Sequence, residues 1–303
     1  MKVLVIGYGS MGQKHVASLK INKFKEIYVL TQQKNIAHPT IKKLSQIHLI
    51  DPDYIIISSE TSKHYKTLKY IEKNFKNKFI LVEKPLFHKF YNLKIKKNKV
   101  FVGYDLRVHP IINFIKNKLK NKKIWYASVE CGSFLPFWRK NIPYHKSSSA
   151  KKKYGGGVLL ELSHELDYFL LFFKKFNILD VFNRKISNLK INTDDFLDVK
   201  FYNKDIPFIN IRLNYFARKN IRKITIEGNN ISINACLLTN KIFIEENGLK
   251  KKVYFKKLKK NILYINEHKL IKEKKYSKLC SYNQALDVMK YIDKIRKFNK
   301  YSK

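Results

Sequence analysis

Short uninterrupted apolar runs punctuate the first hundred residues. Val3-Leu4-Val5-Ile6, Ile27-Tyr28-Val29-Leu30, Tyr54-Ile55-Ile56-Ile57, Phe79-Ile80-Leu81-Val82 and Val100-Phe101-Val102-Gly103 are each the length of one strand. A strand that is apolar at every position is covered on both faces, the pattern of a parallel sheet flanked by helices. The stretches between them, near residues 13–20, 41–47 and 62–74, read as those helices. In such a sheet ligands lie beyond the carboxyl ends of the strands. That rule singles out Gly7 to Gly12, Thr31, Ser58 to Thr61, Glu83 to Pro85 and Tyr104 to Arg107.

After about residue 105 the rhythm changes. A helix is expected near Pro110 to Leu119 and a strand at Trp125 to Gly132, followed by an irregular stretch from Ser133 to Tyr154. Gly155-Gly156-Gly157 then opens a strongly apolar helix. Five segments beyond it, Phe196 to Tyr202, Phe208 to Tyr215, Ile221 to Glu227, Ile231 to Cys236 and Lys241 to Glu245, alternate with Asn- and Gly-containing turns as antiparallel hairpins do. A last helix is expected over Ser281 to Phe298. The expected class is α/β, with one domain at 1–105 and an α+β domain at 106–303.

The first strand runs straight into Gly7-Tyr8-Gly9-Ser10-Met11-Gly12. In G-x-G-x-x-G after a strand and before a helix, the first Gly permits the turn and the second lets a pyrophosphate approach the backbone. The third lets helix and strand pack closely. The helix then offers free N–H groups and a positive dipole end to phosphate. This reads as a Rossmann-type dinucleotide site.

Composition adds limits. The chain has 303 residues and a formal charge of +40, with 63 Lys and Arg against 23 Asp and Glu. Such charge attracts phosphate, but the lysines are spread over the whole chain and no nucleic-acid motif accompanies them. No nucleic acid is expected as a partner, while anionic small molecules are favoured. No apolar run approaches the roughly 20 residues of a membrane span, and no signal peptide is evident, so a cytoplasmic protein off the membrane is expected. Cys131, Cys236 and Cys280 are odd in number and far apart, so neither a metal site nor a disulfide framework is expected.

Two places carry candidate chemistry. Lys84, in Glu83-Lys84-Pro85, ends a strand where a nicotinamide would lie, and an ammonium there can hydrogen-bond a reacting hydroxyl. On the apolar helix, Glu161, His164 and Asp167 are spaced to share one polar arc, and a His between carboxylates suits a general base. The same spacing fits a solvated stripe on a capped helix equally well.

These motifs occur in a specific order: Gly7 to Gly12 with Lys14-His15, Pro52-Asp53-Tyr54 with Thr61 and His64, and Glu83-Lys84-Pro85-Leu86. Gly103 to Arg107 with His109-Pro110 and the run Gly155 to Tyr168 complete it. Over residues 1 to about 170 the chain resembles the glucose–fructose oxidoreductase / inositol dehydrogenase (Gfo/Idh/MocA) family. The resemblance implies a Rossmann domain joined to a domain with a large, open, mostly antiparallel sheet that often mediates oligomers, here a dimer or tetramer. It implies hydride transfer between NAD or NADP and a carbon of a sugar or nucleotide sugar. The alternative is a nucleotide-binding or interaction protein without catalysis.

By the same resemblance, Lys84 and His164 are the catalytic pair. Gly7, Tyr8, Gly9, Ser10, Met11, Gly12, Thr31, Ser59, Thr61, His64, Glu83 and Lys84 are expected on the cofactor, with Trp138 and Arg139 approaching it from a loop. Arg107, Tyr144, Glu161 and Asp167 are expected on the substrate side. The Trp138-Arg139 pair and the Leu-Ser-His-Glu-Leu-Asp helix resemble a branch associated with bacterial surface-polysaccharide sugars. This chain departs from the family in having Asp105 where Asn is usual, and Pro143 and His145 around Tyr144. At the end of the second strand it offers Thr31-Gln32-Gln33-Lys34 rather than the acid that selects NAD.

Overall fold

The computed structural model describes residues 1–139 and 142–301. Six strands occupy the first hundred residues: β1 (Lys2–Ile6), β2 (Glu26–Leu30), β3 (Thr40–Ile41), β4 (Tyr54–Ile57), β5 (Phe79–Val82) and β6 (Lys99–Val102). Eight more follow: β7 (Ile124–Gly132), β8 (Asn177–Arg184), β9 (Phe196–Tyr202), β10 (Phe208–Asn214), β11 (Ile221–Gly228), β12 (Ile231–Cys236), β13 (Lys241–Glu246) and β14 (Leu249–Tyr254). A two-residue β15 (Cys280–Ser281) comes last. The helices are α1 (Ser10–Ile21), α2 (Ile47–Ile50), α3 (Thr61–Asn74), α4 (Pro110–Lys118), α5 (Val158–Glu161), α6 (His164–Phe173), α7 (Ile262–Lys272) and α8 (Tyr282–Tyr301).

The chain divides into two compact units, residues 1–108 with 259–289, and residues 109–258 with 290–303. A division at residue 105 leaves 259–289 with the second half. Those residues instead lie in the first unit, because α7 packs on α1 and β15 pairs antiparallel with β6.

The first unit is built on a seven-stranded sheet of order β15-β6-β5-β4-β1-β2-β3, parallel except at β15. Successive side chains of a strand point to opposite faces, and here both faces are covered. Val3, Val5, Tyr54 and Ile56 pack with Val16 and Leu19 of α1 and Ile271 of α7. Residues 41–47, expected as a helix, are not one. Ile41 pairs with Leu30 in β3, Leu44–Gln46 form a 3-10 turn, and the helix is only the four residues of α2. The carbonyl of Pro39 accepts the Val29 N–H at 2.9 Å, which draws this segment alongside β2.

The second unit carries an eight-stranded sheet, β14-β13-β12-β11-β7-β10-β9-β8. It is antiparallel except where β10 runs parallel to β7. Its buried face comes from alternate residues such as Ala127, Val129, Leu197, Val199, Ile209, Ile211 and Ile233. The apolar helix after the Gly triplet is broken into α5 and α6 at Leu162-Ser163, where Leu162 has φ −101° and ψ 29°. No helix among the described residues is long and apolar enough to cross a membrane.

Candidate functional site

In the first unit the β1–α1 turn is held from two sides. Gly7 has φ +95°, and its N–H bonds the Leu30 carbonyl at 2.9 Å. A Cβ there would come within 2.7 Å of the Ser59 nitrogen. Gly12 packs so closely that a Cβ would come under 3.0 Å from the Gly7 carbonyl oxygen, which also accepts the Ser58 hydroxyl at 2.9 Å. Gly9 is different. It is the N-cap of α1 with no side-chain cap, and a Cβ on it would meet no protein atom within 4 Å. The first-turn N–H groups of Ser10, Met11 and Gly12 therefore end in a cradle open at Gly9, with the helix dipole behind it. These residues fit a pyrophosphate.

Tyr8 faces the end of β2, its ring edge-on to His38 at 6.4 Å and its carbonyl 3.3 Å from Gln33 Nε2. Thr31 is buried and its hydroxyl accepts the Gln33 N–H at 3.2 Å. Gln32 donates to the Lys42 carbonyl at 2.7 Å, and Lys42 Nζ returns to the Gln33 carbonyl at 2.9 Å. A cation thus stands in the loop where an NAD-selecting carboxylate is usual.

Ser59 lies between β4 and α3, and Thr61 is the first residue of α3. His64 has a different place from that expected. It is buried, with Nε2 3.0 Å from the Ser59 carbonyl and Nδ1 3.2 Å from that of Pro85. Its ring lies between the loop after β4 and the loop after β5, with both nitrogens facing backbone carbonyls, one of which accepts its N–H. Burial pushes its pKa down, against the raising effect of the carbonyls and Glu83. Lys84 follows β5, half-buried, and its N–H bonds Glu83 Oε2 at 3.1 Å. Arg107, expected on the substrate side, is buried and donates to Gln284 at 2.6 Å.

In the second unit, Trp138 Nε1 donates to Ser133 at 2.8 Å and its ring stands edge-on to Tyr215 at 5.1 Å. Trp138, Arg139, Tyr144, Ser147 and Ser149 line one small hollow. The Tyr144 hydroxyl accepts the Lys190 N–H at 3.0 Å, and Ser149 donates to Glu161 at 2.7 Å. Four expected residues, Trp138, Arg139, Tyr144 and Glu161, are thus brought into one neighbourhood.

His164 begins α6, half-buried, and Asp167 one turn on is buried. The expected arc of Glu161, His164 and Asp167 does not form on one helix, because the break at Leu162-Ser163 separates Glu161 from the other two. What anchors the start of α6 is Glu165, fully buried and bonded by Arg222 Nε of β11 at 2.7 Å. This pair has its own electrostatic signature. Burial pushes the Cys131 thiol and the Tyr168 hydroxyl up, and Glu165 adds to both. Sequence reasoning passed over Glu165 and Arg222; the available signal was a carboxylate flanked by Leu162, Leu166 and Phe169.

Residues 1–99 match the family GFO_IDH_MocA, described as "Oxidoreductase family, NAD-binding Rossmann fold". Among curated proteins nothing matches the sequence. Solved structures share the fold over the whole chain. UDP-N-acetylglucosamine 3-dehydrogenase from Acidithiobacillus ferrooxidans is 16% identical, with 99% of this chain and 98% of that chain covered and a TM-score of 0.77. Levoglucosan dehydrogenase in complex with NADH is 16% identical, covering 99% and 97%, with a TM-score of 0.82. An oxidoreductase from Thermotoga maritima is 17% identical, covering 99% and 96%, with a TM-score of 0.79.

Proposed function

We propose, taking the N-terminal NAD-binding Rossmann family as the premise, that this chain is an NAD(P)-dependent dehydrogenase or reductase acting on a sugar or nucleotide sugar. The observation that carries the reading is the uncapped start of α1 behind Gly9, together with a lysine at the carboxyl end of β5. When bound, the nicotinamide supplies or accepts the hydride. The chain supplies the rest. Ser10, Met11 and Gly12 hold the pyrophosphate through backbone N–H groups. Lys84 hydrogen-bonds the reacting oxygen and draws charge from it, and His164 holds the hydroxyl proton. Tyr144, Glu161 and Asp167 orient the sugar, and Trp138 and Arg139 flank the cofactor.

The likeness of fold to a sugar dehydrogenase and a UDP-sugar dehydrogenase supports this substrate class. A homo-oligomer through the outer face of the second sheet belongs to the same reading. That face bears Phe182, opposite Asp198 of the Asp198–Arg212 pair at 2.8 Å, and, on β13, Phe243, both exposed.

The test is turnover of a panel of sugars and UDP-sugars with NAD+ and NADP+, for wild type, Lys84→Ala and His164→Asn. The expectation is turnover by wild type and a loss of about 10²–10⁴-fold in either variant, with cofactor affinity retained. Cofactor binding without turnover of any sugar refutes the substrate class. Full activity in Lys84→Ala refutes the mechanism.

A further inference from the structure

From Tyr54 at the start of β4 to Glu83 just beyond the carboxyl end of β5, four buried side chains are joined end to end. The Tyr54 hydroxyl of β4 is 2.9 Å from His268 Nδ1 of α7, and His268 Nε2 is 3.0 Å from His15 Nδ1 of α1. His15 Nε2 is in turn 2.7 Å from Glu83 Oε1. None of the four is more than 5% exposed.

Counting hydrogens sets the direction. A buried hydroxyl proton needs an acceptor, and for Tyr54 that acceptor is His268 Nδ1. His268 Nδ1 then carries no hydrogen, so neutral His268 donates from Nε2 to His15 Nδ1. His15 is left with its hydrogen on Nε2, aimed at Glu83. A doubly protonated His15 would reverse His268. It would leave the Tyr54 proton without an acceptor among the described residues.

Burial is the chief cause that holds His268 well below the ordinary histidine value, which keeps its ring neutral. Burial pushes Glu83 up, but the hydrogen bond from His15, with Lys84 and His64 nearby, outweighs it and holds the carboxyl below its usual range. Glu267 of α7 is the contrasting neighbour. Burial, Asp105 and Glu83 push it well above the carboxylate range.

We propose that Tyr54, His268 and His15 are positioning residues, a one-way donor chain that holds Glu83 as a fixed carboxylate on the nicotinamide side of the cofactor site and so favours the oxidised cofactor over the reduced one. This rests on the cofactor reading above. The oxidised nicotinamide ring is positively charged and the reduced ring is neutral. An ionised carboxylate fixed in a site of low dielectric therefore separates the two forms. Its second oxygen, on the Lys84 N–H, also fixes the backbone that carries Lys84.

Two measurements test it. In ¹⁵N-histidine NMR, the rings lost in His15→Gln and His268→Gln should both show hydrogen on Nε2 alone in wild type. An imidazolium, or hydrogen on Nδ1 of either ring, overturns the chain. In calorimetric titrations with both cofactor forms, Glu83→Gln and His15→Leu should each lower the preference for the oxidised form about tenfold. His15→Gln, which keeps a donor and an acceptor, should restore most of it. A wild-type ratio in Glu83→Gln overturns the electrostatic role. Wild type binding neither form refutes the cofactor reading instead, and the tautomers still decide whether the chain exists.

Discussion

Acid should weaken this fold through one histidine in particular. His109 is the N-cap of α4, and its Nδ1 accepts the Ile111 N–H at 3.1 Å, which requires that nitrogen to be free of a proton. Burial, with Arg222 adding, pushes its pKa from 6.5 to about 4. Between those values the unfolded chain takes up a proton that the folded chain refuses, so stability is present above the unfolded pKa and lost as pH falls towards the folded one. For this single group the loss from pH 7.5 to pH 5 is about 2 kcal/mol. His109→Asn keeps a side-chain oxygen for the cap and removes the titration. Urea unfolding of both proteins at the two pH values should show the wild type losing about 2 kcal/mol more than the variant. Parallel losses would refute the reasoning.

The glycine turn predicts a contrast within one motif. Gly12→Ala, whose Cβ presses on the Gly7 carbonyl, should cost about 1–3 kcal/mol in urea unfolding, whereas Gly9→Ala should stay within about 1 kcal/mol of wild type. Arg222→Met leaves the buried Glu165 carboxylate alone and should cost about 3–5 kcal/mol, whereas Arg222→Met with Glu165→Leu should recover much of it. Equal losses in the single and double variants would contradict that account of the start of α6.

The first sheet was legible because its strands are covered on both faces, so Val3 to Ile6 or Tyr54 to Ile57 had to be apolar throughout. The turn at Gly7 to Gly12 was legible because close packing admits no other residue at Gly7 or Gly12. Strands β8 and β14 were not. They are the edges of the second sheet, and Leu249-Lys250-Lys251-Lys252 shows no alternation because an edge strand is exposed and tolerates lysine there. The break at Leu162-Ser163 leaves no mark in composition. His15 and His268 are 253 residues apart, so no local pattern connects them. Tyr54 read as one more apolar strand residue, although its hydroxyl begins the buried chain to Glu83. The position of Lys84 just after a strand was legible from the apolar run before it, whereas the backbone carbonyls around His64 were not, because spacing does not show which way a ring faces.

The central claim is a dinucleotide held at the start of α1. Fluorescence titration of NADH and NADPH into wild type and Gly9→Asp tests it most directly. The account predicts binding by wild type and its loss in the variant, where a carboxylate fills the cradle and repels phosphate while thermal unfolding stays near wild type. Absence of binding of either cofactor to folded wild type, or undiminished binding to Gly9→Asp, would contradict it.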